Sequence, residues 1–110
     1  MSKRYHVTSK NNWASICKEG LVPRFGFLSD LVLEQRRAVY MFNEISEVEY
    51  AMKHWFGDNI RYVYDVKNLI LLEINLPDNF VTEERFGWES ISYSTISPEY
   101  ITIIDFPRSH

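Results

Sequence analysis

Cysteine and long apolar runs are the two features that this sequence most clearly lacks. Cys17 is the only cysteine among 110 residues, so no disulfide can form within the chain, and a reducing compartment is the simplest setting for it. The longest apolar run, Leu69 to Leu72, is far shorter than the roughly 20 residues of a membrane-spanning helix. The N-terminal residues contain no apolar segment of signal-peptide length. We therefore expect a cytoplasmic protein with no membrane contact.

Excess positive charge and the common catalytic motifs are also missing. The formal net charge is −3 and the pI is near 5.6, so no broad cationic surface is expected for a nucleic-acid backbone. The histidines are His6, His54 and His110, and neither an HExxH pattern nor a pair of cysteines accompanies them, which argues against a metal site. No GxGxxG, Walker A or GxSxG pattern occurs, so neither a doubly wound nucleotide fold nor a serine hydrolase is expected.

Two further reactive groups have ordinary structural explanations. Cys17 follows Trp13 at i+4 on the expected apolar face of a first helix. Free cysteine is among the residue types that are buried most often, so we expect an inert buried thiol there. Glu83 and Glu84 are adjacent in a polar segment, where neighbouring carboxylates point apart into solvent. The sequence therefore favours neither a thiol enzyme nor a catalytic carboxylate pair.

The residues that are present fit one α+β domain spanning 1–110. This length is enough for a single core and too short for two, and 45% of the residues are hydrophobic and 15% aromatic. Patterns of β-branched, aromatic and apolar residues predict strands at 4–8, 38–42, 61–65, 69–76, 89–93 and 100–105. Helices are predicted from 12 to 18 and from 44 to about 55. Because strands dominate, we expect largely antiparallel pairing.

Local signals indicate where these elements begin and end. Ser9 and Asn43 offer side-chain oxygens that cap the N-termini of the two helices. Gly20 supplies the positive φ that ends the first helix. The stretch at 69–76 begins continuously apolar and ends alternating, which is typical of a strand inside a sheet. Residues 25–37 and 78–87 are expected to be loops.

Three of the predicted strands each carry one chemically distinctive residue, His6, Tyr40 or Glu89. A histidine or a tyrosine on a strand more often serves the structure than a function. Glu89 is the least ordinary, because it begins an otherwise apolar strand and shares a face with Ile91 and Tyr93. If the three residues converged on one cleft, they would suit a nucleotide with a cationic aromatic leaving group better than a metal or an acyl substrate.

The order and surroundings of these three residues resemble the ADP-ribosyltransferase fold, in the branch of the poly(ADP-ribose) polymerases and the DarT toxins. In that branch a histidine strand opens the site, a tyrosine strand follows, and a glutamate begins a late strand. The similar segments, in chain order, are 5–8 with 12–21, 39–42 with the helix behind it, 69–74, 89–93 and 96–101. The resemblance spans nearly the whole chain, and Val7 stands where the polymerases usually have glycine.

The resemblance implies split antiparallel β-sheets with two main helices, NAD as co-substrate, and transfer of ADP-ribose to a protein or nucleic-acid acceptor, as in a toxin or effector. It implies that Glu89 is the catalytic residue, which binds the ribose hydroxyl and activates the acceptor. The resemblance also implies contacts with NAD. His6 would donate a hydrogen bond to the adenosine ribose, and Tyr40 would stack on the nicotinamide. The Val7 backbone would bind the carboxamide, Thr8 would brace the site, and Arg24 and Arg36 would bind the diphosphate.

Other functions are compatible with the same residues. Plain NAD hydrolysis would use water in place of a macromolecular acceptor. A catalytically inactive protein of this fold would serve as a small protein-binding inhibitor, because a fold by itself does not confer an activity. RNA 2′-phosphotransfer on a related fold would require several basic residues around the site, and the acidic balance of the chain disfavours it.

Overall fold

A computed structural model of the chain describes residues 2–23, 37–52 and 68–106. These residues form a six-stranded antiparallel sheet flanked by two short α-helices. The strands are β1 (Ser2–Ser9), β2 (Val39–Phe42), β3 (Leu69–Leu76), β4 (Glu83–Arg85), β5 (Glu89–Ser92) and β6 (Ile101–Ile104). The helices are α1 (Trp13–Glu19) and α2 (Ile45–Ala51), and the segments Lys10–Asn12 and Pro98–Tyr100 are 3-10 turns. The expected α+β class with antiparallel pairing is confirmed.

The strands follow the spatial order β4-β5-β2-β1-β3-β6. β1 and β3 are paired along their whole length, from Ser2 opposite Leu76 to Ser9 opposite Leu69. β1 and β2, both fully described, share a single register pair, Tyr5 opposite Phe42. The sheet is therefore continuous in strand order but nearly divided between β1 and β2, and we call this place the seam.

Each face of the sheet carries its own hydrophobic core. Successive side chains on a strand point to opposite faces, and β3 supplies both cores, so the prediction of an internal strand is confirmed by its place between β1 and β6. The α1 face buries Ile16, Leu21, Val39, Met41, Ile70, Leu72, Ile74, Leu76, Ile96 and Ile101. The α2 face buries Val7, Phe42, Val48, Ala51, Leu69 and Leu71.

Both expected helix caps and the expected burial of Cys17 differ in the structure. Ser9 caps the 3-10 turn Lys10–Asn12 by accepting from the N–H of Asn11, and the N-cap of α1 is Asn12. The N-cap of α2 is Glu44 rather than Asn43, because Glu44 and Glu47 form a reciprocal capping box at the start of that helix. Cys17 is exposed rather than buried. Ile16 occupies the core position of α1, and in a helix the next residue points about a quarter-turn away from it.

A short strand lies where the sequence predicts a loop. Within 78–87, Glu83–Arg85 forms β4 and pairs antiparallel with β5. This strand lacks the alternating apolar pattern of a strand, and it forms because β5 offers it an edge across a tight turn. The predicted strand at 61–65, the loop at 25–36 and the end of the second helix beyond residue 52 lie outside the described residues. Across the described ranges, no helix is long and apolar enough to cross a membrane.

Gly20 connects α1 to the rest of the α1-face core. Its N–H donates to the carbonyl of Ile16 at 2.8 Å and its φ is +81°, so the predicted glycine stop is confirmed. The next residue, Leu21, exchanges two backbone hydrogen bonds of 2.9 Å with Ile96. A Cβ on Gly20 would lie 2.0 Å from the carbonyl oxygen of Ile96. The contact is with backbone, so rotation of a side chain cannot relieve it.

We expect Gly20→Ala to lower the free energy of unfolding by more than about 1 kcal/mol, because it combines an unfavourable φ with a backbone clash. Gly87→Ala is the matched control, since Gly87 also has a positive φ, of 77°, but a Cβ added there would meet nothing within 4 Å. Urea unfolding of both variants measures the difference. Equal destabilisation of the two would contradict the proposed clash at Gly20.

Candidate functional site at the seam

His6 connects β1 to β2 where the two strands cease to pair. Its Nδ1 lies 2.7 Å from the backbone carbonyl oxygen of Tyr40. A carbonyl oxygen only accepts, so Nδ1 carries the proton and donates it. In the neutral imidazole Nε2 is then an acceptor. The His6 side chain therefore joins β1 to the backbone of β2 at the seam.

Tyr40 and Glu89 lie on the same face of adjacent strands. Phe42 is opposite Glu89 and Tyr40 is opposite Ile91 in the β2–β5 register. Tyr40 and Glu89 are thus diagonal neighbours, and residues in such pairs are about 7–8 Å apart, with their Cβ atoms somewhat closer. Both residues share the α2 face with Phe42, which belongs to its core. The sheet therefore brings an aromatic ring and a carboxylate to one surface.

The side chain of His6 leaves β1 on the other face. Tyr5 lies opposite Phe42 and therefore belongs to the α2 face, and the next residue along a strand points the opposite way. His6, Tyr40 and Glu89 lie on three adjacent strands, but only Tyr40 and Glu89 share a face. His6 contacts Tyr40 through the backbone, at the edge of the seam.

Glu89 is nearly enclosed, with 8% of its surface exposed. Its Oε1 lies 3.8 Å from Nε of Arg85, which is directly opposite it in the β4–β5 register. Burying a carboxylate is costly unless a cation or hydrogen-bond donors compensate it. The short β4 strand supplies that cation, so the strand missing from the sequence prediction is the one that supports the predicted catalytic residue.

The other residues that were expected to contact NAD lie in different environments. The side chain of Val7 is buried in the α2-face core, so a ligand beside this residue would contact its backbone. Val7 has no register partner on β2. The hydroxyl of Thr8 accepts a hydrogen bond of 2.9 Å from the side chain of Asn12, which ties β1 to the turn before α1. Arg24 and Arg36 lie outside the described residues.

A polar network on the α1 face was not expected from the sequence. Arg4 of β1 donates to the hydroxyl of Ser90 at 2.9 Å and pairs with the carboxylate of Glu84 at 3.3 Å. Asn43 donates to the other oxygen of Glu84 at 2.8 Å. The fully buried Ser90 hydroxyl faces the Oδ1 of Asn43 and the carboxylate of Glu84, and it donates its single proton to one or the other of these acceptors. We call Arg4, Asn43, Glu84 and Ser90 the polar clamp.

The polar clamp joins four separate parts of the sheet across the seam. Its members come from β1, the end of β2, β4 and β5, and Ser90 directly follows Glu89 on β5. No local pattern relates positions that are so far apart in the chain. The available signals were an arginine on the predicted first strand, a carboxylate in a predicted loop and a serine inside an apolar strand. Each has an ordinary alternative explanation.

The polar clamp perturbs the titration of Glu84. Partial burial acts to raise its pKa, but hydrogen bonds from Ser90 and Asn43 and the charge of Arg4 together lower it below its ordinary value. The adjacent Glu83 faces the other way and accepts a hydrogen bond from the hydroxyl of Tyr93. The two neighbouring carboxylates therefore point apart, as the sequence indicates. Among the described residues, no cluster of three or more His, Cys, Asp or Glu side chains could hold a metal ion.

We expect Glu84 to stabilise the fold only where it is ionised. Because its folded pKa is lowered, its contribution is complete above its ordinary pKa of 4.5 and is lost as the pH falls through the folded value. The difference in melting temperature between wild type and Glu84→Gln should be constant at neutral pH and shrink between about pH 5 and pH 3.

A control variant separates this effect from general acid denaturation. Glu19 is an exposed carboxylate on α1 that lies outside the polar clamp, and Glu19→Gln removes the same charge, so comparison of the two variants isolates the contribution of the clamp. Thermal unfolding followed by circular dichroism measures both differences. A wild-type to Glu84→Gln difference that persists unchanged to pH 3 would contradict the role of the ionised carboxylate in the polar clamp.

Comparisons with known proteins assign no family to the chain. No protein-family model, curated protein or solved structure matches it. The function of the chain must therefore be inferred from the geometry at β1, β2 and β5 and from the chemistry of the residues there.

Proposed function

We propose that this protein is an NAD-dependent ADP-ribosyltransferase that modifies a macromolecule. One observation carries the proposal: Glu89, nearly enclosed at the start of β5, shares a face with Tyr40 on the adjacent strand. Tyr40 is in turn held at the seam by His6. A carboxylate beside an aromatic ring suits a substrate in which a flat cationic ring leaves a sugar carbon.

In the proposed reaction, the bond between ribose C1′ and the nicotinamide nitrogen breaks. The electron pair of that bond goes to the nitrogen and neutralises the pyridinium, while C1′ acquires oxocarbenium character as in glycoside cleavage. The Glu89 carboxylate stabilises this developing positive charge. An acceptor nucleophile then bonds to C1′, and its proton passes to Glu89, which acts as general base.

The residues of β1 and β2 are suited to hold NAD. Tyr40, half-buried, offers a ring on which the nicotinamide stacks. His6 leaves β1 on the face opposite Tyr40, so an NAD molecule that contacts both would pass through the seam. There Nδ1 donates to the Tyr40 carbonyl, and neutral His6 would accept from a ribose hydroxyl through Nε2. Val7 is opposite Leu71 of β3 and has no register partner on β2, so the proposal places the carboxamide along the β2 side of β1, where main-chain N–H and C=O groups match its two hydrogen-bonding groups.

The place of Glu89 on β5 supports a macromolecular acceptor. Its carboxylate is nearly enclosed, with 8% of the residue's surface exposed, so an acceptor must be positioned closely to reach it. Glu89 also lies immediately after the turn that joins β4 and β5. A macromolecule that binds at this turn would place its nucleophile near the carboxylate and displace water from it.

Glu89→Gln should lower the rate of ADP-ribose transfer roughly 10²–10⁴-fold, because the amide has nearly the same shape but neither charge nor basicity. The loss of activity is measured as the rate at which free nicotinamide is released from NAD, and chromatography quantifies the nicotinamide. Glu83→Gln is the matched control, since Glu83 is an exposed carboxylate on the neighbouring strand, and it should retain the wild-type rate. Wild-type nicotinamide release by Glu89→Gln would refute the assignment.

His6→Ala should weaken NAD binding by about tenfold, the equivalent of one hydrogen bond of about 1.4 kcal/mol. His6→Asn distinguishes binding from folding, because its amide nitrogen can donate to the Tyr40 carbonyl in place of Nδ1 while nothing replaces Nε2. We expect His6→Asn to melt near the wild-type temperature and to bind NAD as weakly as His6→Ala. Titration calorimetry measures the affinities, and wild-type affinity in His6→Asn would exclude the contact with NAD.

A further inference from the structure

The chain on both sides of Glu89 is tied to Asn43, the residue that follows β2. The backbone N–H of Asn43 donates to the carbonyl oxygen of Trp88 at 3.0 Å. The side-chain Oδ1 of Asn43 faces the hydroxyl of Ser90 within hydrogen-bond distance. Residues 88 and 90 are thus both joined to one residue, and Glu89 lies between them. The backbone from which the Glu89 side chain extends is therefore restrained from both directions.

Arg4 extends this restraint across the seam to β1. Its Nε donates to the hydroxyl of Ser90 at 2.9 Å, and a second guanidinium nitrogen lies 3.3 Å from the carboxylate of Glu84. A planar guanidinium with two partners is held in a more definite position than the flexible ammonium of a lysine. Ser90 is fully buried, so water does not compete for its hydroxyl. The polar clamp is therefore a defined link between β1 and β5.

The proposed site needs such a link because its parts lie on opposite sides of the seam. His6, which would bind NAD, is on β1, and β1 is paired with β3 along its whole length. Glu89 is on β5, beyond β2 in the sheet. Because β1 and β2 share a single register pair, main-chain pairing restrains the two sides only weakly relative to each other. Side chains that cross the seam must set the distance between the ribose and the carboxylate.

We propose that Arg4 and Asn43 are positioning residues for Glu89, which hold its carboxylate in place relative to β1 through the Ser90 hydroxyl and the Trp88 carbonyl. This inference rests on the proposed transferase function and gives the α1 face a role in it. Displacement of a reacting group by about 1 Å can lower a rate about 10²-fold. The polar clamp therefore acts on catalysis from the face of the sheet opposite the carboxylate.

Stability and positioning predict different results when the polar clamp is broken. A variant that is only less stable has fewer folded chains, and each folded chain reacts at the wild-type rate. Loss of positioning instead lowers the rate of every folded chain. The number of NAD molecules bound per chain, measured by titration calorimetry well below the melting temperature, therefore distinguishes the two.

The test compares Arg4→Met with wild type, because methionine keeps an apolar stem but has neither charge nor donors. We expect kcat for nicotinamide release to fall roughly 10–100-fold. The Kd for NAD should stay within about twofold of wild type, with one NAD bound per chain, since β1 remains paired with β3. Arg4→Lys should give an intermediate kcat, because an ammonium reaches Glu84 or Ser90 but does not form the fork.

Lys3→Met is the matched control. Lys3 is the adjacent cation on β1, and its Nζ lies 3.7 Å from the carboxylate of Glu73 on β3, so this pair does not cross the seam. It should keep the wild-type kcat. Gly20→Ala, which destabilises the fold outside the polar clamp, should also keep it at temperatures where the protein is folded. An unchanged kcat in Arg4→Met, or an equal loss in either control, overturns the positioning role.

Hydrogen exchange tests the restraint on β5 independently of catalysis. In Arg4→Met, the backbone amides of residues 88–92 should exchange roughly tenfold faster than in wild type, while those of 69–76 keep their rates. Lys3→Met should leave both segments unchanged. Equal exchange at 88–92 in Arg4→Met and wild type overturns the proposal. If wild type cleaves no NAD, the proposed function fails, and the exchange rates still decide whether the polar clamp holds β5 in place.

Discussion

The near-division of the sheet between β1 and β2 is the constraint on which the rest of the structure depends. Beyond the single pair of Tyr5 and Phe42, main-chain pairing no longer connects these strands, and side chains do so instead. His6 reaches the carbonyl of Tyr40. On the α1 face, the polar clamp joins β1 to the strands beyond the seam. A place in a sheet where the pairing of two strands ends can admit the polar groups of a ligand.

The same arrangement places the stabilising polar clamp and the candidate catalytic residue on opposite faces of the sheet. The polar clamp lies on the α1 face, where Ser90 is fully buried, while Glu89, one residue earlier, points to the α2 face and pairs with Arg85. Alternation along β5 thus places a structural hydroxyl and a candidate catalytic carboxylate side by side in the chain and on opposite sides of the sheet. A change in the polar clamp would therefore reach Glu89 through the backbone of β5.

Much of the fold follows from local patterns, and particular elements show why the rest does not. The strand at 69–76 and the stop at Gly20 are predictable because apolar periodicity and a required positive φ act locally. β4 escapes prediction because Glu83–Arg85 has no strand pattern and forms only on the edge of β5. The expected burial of Cys17 is wrong because a short helix allows more than one apolar face, and the sheet selects Ile16.

The sequence by itself determined which residues are chemically distinctive and on which strands they lie: His6 on β1, Tyr40 on β2 and Glu89 on β5. Alternation within one strand is a local property, so it relates Tyr40 to Phe42 without reference to any other part of the chain. Only the tertiary structure decided which faces coincide, because register between strands depends on contacts distant in sequence. That register places Tyr40 beside Glu89, directs His6 to the other face, and supplies Arg85 as the partner that the buried carboxylate requires.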